Sequence, residues 1–298
     1  MIVCRTIAEL RAALLEGKAQ LSGSKVSVGL VPTMGYLHEG HASLMRKSAE
    51  ENGLTVLSIF VNPLQFGPNE DFERYPRNEE RDLALAEQNG IDIAFLPSVD
   101  VMYPVKPLTT VLVNQLTDRL CGASRPGHFD GVGTVVSKLF HLVQPDRAYF
   151  GMKDAQQVAV IQQMTDDLNF PVTIVPCPTL REPDGLALSS RNVYLTAEQR
   201  QQAIVLSQSL NQAGEWVREP GISAEELVKR VKDAIRKAPQ ADIDYVEWLR
   251  YPSLQPMEAS EPIRLESERY ILALAVKFGS TRLIDNHLFG SSGGDYHV

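Results

Sequence analysis

The sequence Val31-Pro32-Thr33-Met34-Gly35-Tyr36-Leu37-His38-Glu39-Gly40-His41 lies between a short apolar run, Val26 to Val31, and a helix-like segment, Ala42 to Asn52. An apolar strand that passes through a loop into a helix is the repeating unit of a parallel α/β sheet, and ligands bind where such strands end. Pro32 is expected to end the ladder pairing, while Gly35 and Gly40 let the backbone approach a ligand closely. The first helical turn adds unpaired N–H groups and a partial positive charge. The stretch therefore predicts an anion-binding loop in a parallel sheet.

The two histidines of this loop, His38 and His41, are three residues apart. That spacing places both imidazoles on one side of an opening helical turn, where protonated rings can stabilise negative charge on a phosphoryl group in the transition state. A single histidine at a helix start is more often a cap or a surface residue, and a close pair can also bind a metal. The zinc pattern His-Glu-x-x-His needs a spacing of four in mid-helix, which is not met here. We therefore favour phosphate binding and assign no metal-ligating residue.

Composition and charge restrict the possible partners. The chain has 298 residues, of which 44% are hydrophobic, as is ordinary for a globular protein with a sizeable core. A formal net charge of -8 argues against general binding to nucleic acid or to an anionic membrane. Any phosphate ligand must then be held by a few well-placed cations.

Cysteine usage and the N-terminal sequence predict a cytoplasmic protein. Cys4, Cys121 and Cys177 are far apart and in no paired spacing, which favours neither a disulfide framework nor a structural zinc site. Met1 to Gly17 carries charges where a signal peptide needs an apolar core, and no apolar run reaches the length of a membrane span.

The N-terminal part of the chain alternates predicted strands and helices. Thr6 and Glu9 form a capping box in front of a helix that we expect to end at Gly17. The further predicted strands are Leu54–Val61, Ile91–Leu96, Arg147–Phe150 and Val172–Cys177, and the further predicted helices are 76–90, 132–143 and 155–168. Arg125 to Gly131 is expected to be a turn-rich loop.

The character of the sequence changes beyond Pro178, where we place a domain boundary, so that the predicted domains are 1–178 and 179–298. Capping boxes at Thr196 with Gln199 and at Ser223 with Glu226 predict the helices 197–217 and 224–237. Three short strands, 243–249, 270–276 and 281–284, predict a small antiparallel sheet. The glycine- and serine-rich tail from Gly290 to Val298 is expected to be disordered.

Several polar side chains lie on loops beside the apolar strands or at the domain boundary. A lysine at a turn is usually a surface residue, but together the set can hold a triphosphate and neutralise charge during attack at phosphorus. Its members are His38, His41, Lys153, Ser189, Ser190 and Arg191. The neutral amides of Gln65 and Gln157 suit the hydroxyls and carboxylate of a small polar substrate, although Gln157 alone is as well explained as a surface glutamine.

A series of motifs in this chain resembles the pantoate:beta-alanine ligases, or pantothenate synthetases, in order and over most of its length. The motifs are Pro32–Gly35, His38–His41, Ser58–Phe66, Tyr75–Arg77, Arg125–Phe129, Gly151–Gln157, Asp184–Asn192 and Arg282–Asn286. The family belongs to the His-x-Gly-His nucleotidyltransferase superfamily. The resemblance implies an α/β fold with a Rossmann-like parallel sheet in the N-terminal domain, which binds ATP and pantoate, and a smaller α+β C-terminal lid domain.

The resemblance also implies a reaction of the coenzyme A pathway that joins pantoate and beta-alanine. The carboxylate of (R)-pantoate attacks the α-phosphorus of ATP, giving pantoyl adenylate and pyrophosphate, and the amine of beta-alanine then displaces AMP to form pantothenate. Magnesium accompanies the ATP. The implied partners are these small molecules, and not nucleic acid or a membrane, and family members are typically cytoplasmic homodimers.

The resemblance assigns roles position by position. His41 would be the proton donor, with His38 beside it on the phosphates and Lys153 nearest the α-phosphate, and these three are the implied catalytic residues. The residues that would bind ATP are Met34, Gly35, Tyr36, Leu37, His38, Glu39, Gly40, His41, Gly151, Met152, Lys153, Asp154, Leu180, Leu188, Ser189, Ser190 and Arg191. Gln65 and Gln157 would bind pantoate, and Gln65 would also place beta-alanine.

Three positions depart from the family pattern, and three other functions stay open. Met152 and Ala155 stand where the family usually has a glutamate and an aromatic residue, and Cys121 stands where a glutamate is common, so a carboxylate near the phosphates is lost.

The alternative functions are a nucleotidyltransferase that acts on a phosphorylated acceptor, a non-catalytic nucleotide-binding module and a histidine metalloenzyme. Gln65 and Gln157 argue against the first of these, because a phosphate acceptor needs more cations.

Overall fold

The computed structural model of this chain describes residues 1–21, 23, 26–68, 70–258 and 261–290. The described strands are β1 (Ile2–Cys4), β2 (Val28–Thr33), β3 (Leu54–Ile59), β4 (Ile93–Phe95), β5 (Arg147–Gly151), β6 (Thr173–Cys177), β7 (Ala241–Arg250), β8 (Arg269–Phe278) and β9 (Thr281–Gly290). The described α-helices are α1 (Ile7–Gln20), α2 (Glu39–Glu51), α3 (Glu79–Gln88), α4 (Val99–Met102), α5 (Leu120–Ser124), α6 (His128–Val143), α7 (Ala155–Asp167), α8 (Ala197–Ala203), α9 (Val205–Trp216) and α10 (Ala224–Ile235). None of the helices in these residues is long and apolar enough to cross a membrane.

The chain divides into two compact units. The first consists of Met1–Asn114, Arg125–Met152 and Val160–Cys177, and the second of Gln115–Ser124, Lys153–Ala159 and the chain from Pro178 onward. Two short segments that precede Pro178 thus belong to the second unit. The predicted division into 1–178 and 179–298 stays a prediction.

The first unit is built on a six-stranded sheet in the order β1-β4-β3-β2-β5-β6, in which every neighbouring pair is parallel. This confirms the predicted Rossmann-like α/β architecture. Strands β2 and β3 are almost completely buried, as expected for a parallel sheet covered by helices on both faces. Their carboxyl ends carry the loop at Met34 and the turn at Asn62.

Pro32 and Gly17 do not end the elements of this unit as predicted. Pro32 does not end the pairing of β2 with β3, which continues to Thr33, although the pairing with β5 ends at Leu30. Helix α1 begins with the predicted Thr6 and Glu9 capping box but runs past Gly17 to Gln20. Gly17 instead allows close packing, because a Cβ there would lie 2.9 Å from Cδ1 of Leu54.

Helix α6 begins earlier than predicted. The segment Arg125 to Gly131 was expected to be a loop, but the helix starts at His128, and the N–H of Gly131 donates to the carbonyl of Gly127 at 3.2 Å. His128 and Gly131 therefore belong to a helix, where the sequence predicts a turn-rich loop.

The second unit contains the antiparallel sheet β7-β8-β9, as predicted, but its strands are ten residues long rather than short. Their buried side chains pack with α9 and α10 around Trp248, Tyr270 and Phe278. Gly290, the first residue of the predicted disordered tail, ends β9, so the prediction is wrong for this residue. The other residues of the tail, 291–298, lie outside the described residues.

The helices of the second unit also differ in detail from the prediction. The predicted helix 197–217 is two helices, α8 and α9, separated at Ile204. There the hydroxyl of Ser207 donates to the carbonyl of Ile204 at 3.1 Å and competes with the helical hydrogen bonds. The Thr196 capping box is confirmed, but at Ser223 only the serine half forms, since the carboxylate of Glu226 pairs with Arg230.

Candidate active site

The loop that follows β2 ends in a cap made of two histidines. Nδ1 of His38 accepts from the N–H of Gly40 at 3.1 Å, and Nδ1 of His41 accepts from the N–H of His38 at 3.3 Å. The ring centroids of His38 and His41 are 4.1 Å apart. Because Nδ1 is an acceptor in both rings, the neutral form of each carries its proton on Nε2. Each imidazole can thus donate a hydrogen bond from Nε2–H to an anion while it is in the neutral form.

The backbone in front of the cap is left-handed at two successive residues, Gly35 (φ 85°) and Tyr36 (φ 50°). The N–H groups of Tyr36 and Leu37 then donate to the two carboxylate oxygens of Asp82 on α3, each at 2.7 Å. These two amides are therefore bound by the protein, so the anion contacts of the loop must come from other groups. Burial raises the pKa of Asp82 although both amide bonds oppose this shift.

Gln65 ends the short 3-10 helix Pro63–Gln65 that follows β3, and its side chain is buried. Its Oε1 accepts from Nδ2 of Asn62 at 3.1 Å, while Nε2 lies 3.0 Å from Sδ of Met34. The hydroxyl of Tyr103 donates to Oδ1 of Asn62 at 3.0 Å, and Asn62 Nδ2 also donates to the carbonyl of Gly131. The amide of Gln65 is held with its N–H₂ group toward Met34, so two of the predicted site residues of this unit are in contact.

An ion pair just before α6 and the first residue of that helix support the same turn. Arg125 forms a bidentate ion pair with Glu70, and Arg125 and His128 both bond to the carbonyl of Gln65, His128 through Nδ1 at 2.8 Å. Burial raises the pKa of Glu70, but the Arg125 guanidinium outweighs it and the pKa lies below its ordinary value. No sequence pattern points to Glu70, because a glutamate in a loop gives no signal by itself.

In the second unit, the turn that carries Lys153 and Asp154 contacts the segment 180–188. Nζ of Lys153 donates to the carbonyl of Leu188 at 3.4 Å and lies 3.9 Å from the carboxylate of Asp154. Residues 180–188 form a small hairpin with a bridge between Arg181 and Ala187. The structure therefore brings Lys153, Asp154, Leu180 and Leu188 of the predicted set together.

Ser189, Ser190 and Arg191 follow this hairpin in the chain. Ser189 caps the 3-10 helix Ser190–Tyr194, where its hydroxyl accepts from the N–H of Arg191 at 3.3 Å. Gly151 ends β5 and the buried Met152 begins the next turn, while Gln157 is half-buried in the first turns of α7. Among the described residues, no three His, Cys, Asp or Glu side chains are grouped closely enough to hold a metal ion.

Strand β9 anchors both segments of the second unit. Arg181 makes a bidentate ion pair with the buried Asp285, with distances of 2.6 and 2.9 Å. Nδ2 of the next residue, Asn286, donates to the carbonyl of Lys153 at 2.9 Å. Asp285 and Asn286 belong to the motif Arg282–Asn286, which carries the family resemblance but gives no sign of this anchoring role.

The departures from the family pattern occupy buried positions in the structure. Met152 and Ala155 are 4% and 2% exposed. Sγ of Cys121 lies 3.2 Å from the hydroxyl of Tyr245 and 3.5 Å from Nη1 of Arg282. The thiol thus completes a buried polar cluster, in which Arg282 also pairs with Asp244.

The parallel sheet places the chain among the Rossmann-like α/β proteins. Proteins of this class bind ligands at the carboxyl ends of their strands. The sequence profile of the family described as Pantoate-beta-alanine ligase matches residues 2–288. The chain belongs to this family.

Curated relatives and solved structures agree with this membership. The chain is 54% identical over 286 residues to the pantothenate synthetase of Desulfitobacterium hafniense (strain DSM 10664 / DCB-2), covering 96% of this chain and 98% of the relative. The crystal structure of pantothenate synthetase from Thermus thermophilus matches with a TM-score of 0.86 and 47% identity, covering 96% of this chain and 99% of that one. The pantoate-beta-alanine ligase of Francisella tularensis, complexed with beta-gamma ATP and beta-alanine, matches with a TM-score of 0.76 and 33% identity over 97% of each chain.

Proposed function

We propose that this protein condenses pantoate with beta-alanine at the expense of ATP and forms pantothenate, AMP and pyrophosphate through a pantoyl adenylate. The observation that carries this proposal is the paired histidine cap at the end of β2 in a chain that matches the ligase family over residues 2–288. The relative from Francisella tularensis, whose complex contains beta-gamma ATP and beta-alanine, supports the assignment of two of the three substrates. The reaction belongs to pantothenate biosynthesis in the cytoplasm.

In the first step an oxygen of the pantoate carboxylate attacks the α-phosphorus of ATP, and the bond from that phosphorus to the pyrophosphate oxygen breaks. Charge grows on the phosphate oxygens in the transition state and must be met by fixed donors. The Nε2–H groups of His38 and His41 supply such donors in the first unit, and the ammonium group of Lys153, with Ser189, Ser190 and Arg191, supplies them in the second. The backbone bond at Nδ1 keeps each imidazole in the donor tautomer.

In the second step the neutral amine of beta-alanine attacks the acyl carbon of the adenylate. The bond from that carbon to the AMP oxygen breaks, AMP leaves with the electron pair, and the proton that the amine loses passes to solvent. Gln65 presents an N–H₂ group, which suits the carboxylate and hydroxyl oxygens of pantoate, and we assign Gln157 to the same substrate. A mixed anhydride must be shielded from water, and the buried position of Gln65 suits this requirement.

Magnesium is proposed to enter with ATP. Mg²⁺ commonly keeps several waters and is bound by substrate phosphates with few protein carboxylates. The proposal assigns no protein ligand to the ion.

We also propose that the protein is a homodimer joined through the first unit. The segment between α4 and α5 exposes apolar side chains in that unit, with Val105 75%, Leu108 100% and Leu112 60% exposed. Apolar side chains concentrated in one exposed segment are typical of an interface. Sedimentation of the wild type against a Leu108→Glu variant tests this, because a dimer that uses the segment is expected to dissociate.

The experiment that tests the reaction follows pyrophosphate and AMP separately. Protein incubated with ATP, magnesium and pantoate is expected to release one equivalent of pyrophosphate, and sustained AMP release is expected only after beta-alanine is added. Protein that binds ATP but releases no pantoate-dependent pyrophosphate would contradict the proposal and favour a nucleotidyltransferase with another acceptor.

The His41→Ala variant tests the assignment of the donor. A folded His41→Ala protein is expected to lose adenylate formation by roughly 100-fold or more, as when one transition-state donor is removed. The matched control is His141→Ala, which removes an exposed histidine on α6 that packs against Phe170. Unchanged pyrophosphate release in His41→Ala would remove His41 from the mechanism.

A further inference from the structure

The first turn of α3 carries an aspartate that no role in the reaction accounts for. Asp82 lies in a strongly charged segment but is only 2% exposed. Its Oδ2 accepts from the N–H of Tyr36 and its Oδ1 accepts from the N–H of Leu37, both at 2.7 Å. Hydrogen bonds from two successive backbone amides to a buried carboxylate are short and strong. Asp82 therefore holds one specific stretch of the loop after β2.

That stretch has a backbone conformation that needs external support. Tyr36 has φ 50°, which is unfavourable for a residue with a Cβ, and Gly35 before it has φ 85°. Gly35 also leaves room for the anchor, because a Cβ there would lie 3.1 Å from Oδ2 of Asp82. The left-handed turn directs two N–H groups inward, and the carboxylate is the acceptor that satisfies them.

A second contact from the same helical turn acts on the same residue. The guanidinium of Arg81 lies over the ring of Tyr36, 5.0 Å from its centroid. Arg81 and Asp82 thus hold the side chain and the backbone of Tyr36, one residue before Leu37 and two before the His38 cap.

We propose that Asp82 is a positioning residue for the adenylation step, which fixes the Gly35–Leu37 backbone and through it the place at which His38 and His41 present their imidazoles. The inference rests on the proposed function, since it assumes that the loop binds ATP. The position of the histidine cap depends on the bonds to Asp82, because Leu37 is covalently joined to His38 and is itself completely buried. Preorganised donors lose much of their effect when displaced by a fraction of an ångström.

The Asp82→Asn variant separates positioning from stability. Its amide keeps one acceptor oxygen but turns an N–H₂ group toward the other backbone N–H, so one of the two bonds is lost. The variant is expected to raise the KM for ATP and to slow pantoate-dependent pyrophosphate release by roughly 10- to 100-fold. The KM for beta-alanine, which reacts after adenylation, is expected to stay unchanged.

The matched control is Asp146→Asn, because Asp146 bonds to the backbone at the start of β2, whereas Asp82 bonds to the loop after its end. Oδ2 of Asp146 accepts from the N–H of Val28 at 2.7 Å, so this variant also removes a carboxylate that is bonded to the backbone at β2. It is expected to keep the wild-type KM for ATP. Wild-type kinetics in Asp82→Asn, or an equal loss in both variants, would overturn the positioning role.

Hydrogen exchange on the wild-type protein gives an answer even if Asp82→Asn does not fold. The amides of Tyr36 and Leu37 are expected to be protected although they lie in a loop, and exchange at the rate of an unstructured peptide would overturn the anchor. A wild type with protected amides but without ligase activity would reject the proposed function and leave the anchor in place. The two failures are therefore distinguishable.

Discussion

The two units hold their candidate binding segments by different means. In the first unit the loop after β2 is anchored through its backbone, whose N–H groups bond to Asp82, His38 and His41. In the second unit the hairpin is anchored through side chains, by the Arg181 and Asp285 ion pair. A backbone anchor depends on one protein side chain for each bond, whereas an ion pair depends on two. The same kind of substitution should therefore have different consequences in the two units.

The largest effect is expected from breaking the ion pair of the second unit. Arg181→Met leaves the 1% exposed side chain of Asp285 without its cation, and should lower the free energy of unfolding by about 3 kcal/mol. The double variant Arg181→Met with Asp285→Leu should recover most of this loss, because no unpaired charge is left. Urea denaturation measures both, and a double variant as unstable as the single one would contradict the comparison.

A smaller effect is expected at the neighbouring anchor. Asn286→Asp replaces the donor to the Lys153 carbonyl by an acceptor, and should cost about 1–3 kcal/mol of stability. It should also raise the KM for ATP, because the turn that carries Lys153 loses its support. The control is Asn89→Asp, which loses a similar bond from Nδ2 to the Leu85 carbonyl at the end of α3. Equal KM values in the two variants would argue against a role of Asn286 in ATP binding.

In the first unit, replacing His38 separates the cap from the imidazole. His38→Ala should cost about 1 kcal/mol through the lost N-cap, whereas His38→Ser should keep most of the stability because serine is a good N-cap. Both variants should lose pyrophosphate release to the same extent, since neither has an Nε2–H donor. A His38→Ser protein with wild-type rates would show that His38 only caps the helix.

The smallest effect is expected at the ion pair of the first unit. The pKa of Glu70 is lowered by Arg125, so the stability that this pair contributes is present above the ordinary pKa of a glutamate and is lost as the pH falls through the lowered value. Glu70→Gln should therefore flatten the acid side of the stability curve, by less than about 1 kcal/mol for a partly exposed pair. Thermal melting between neutral and acid pH measures this, and parallel curves for the two proteins would contradict it.

Much of the fold could be predicted because its signals are local. Buried strands such as β2 and β3 are largely apolar runs. The helix starts at Thr6 and Thr196 are indicated by capping boxes, which span only four residues each. What could not be predicted depends on contacts between distant parts of the chain. Gly17 was expected to end a helix because its packing against Leu54 is invisible in the sequence.

The candidate site shows the same division. The motifs identify loop residues such as His38 and Lys153, whose types and positions suit phosphate chemistry. The buried residues that hold these loops are far away in the sequence. Asp82 is 46 positions from Tyr36, and Asn286 is 133 positions from Lys153. Aspartate and asparagine are common surface residues, so only the folded structure distinguishes these two from the rest.

Strand β9 has a consequence for the order in which the protein is made. It is the last strand of the described chain, and it carries both Asp285 and Asn286, which hold segments synthesised more than 90 residues earlier. During translation the N-terminal parts of a protein leave the ribosome and fold first. A nascent chain in which Lys153 and the hairpin 180–188 have already left the ribosome still lacks the strand that fixes them. The segments at Lys153 and Arg181 therefore gain their anchors only after Asp285 and Asn286 have been synthesised.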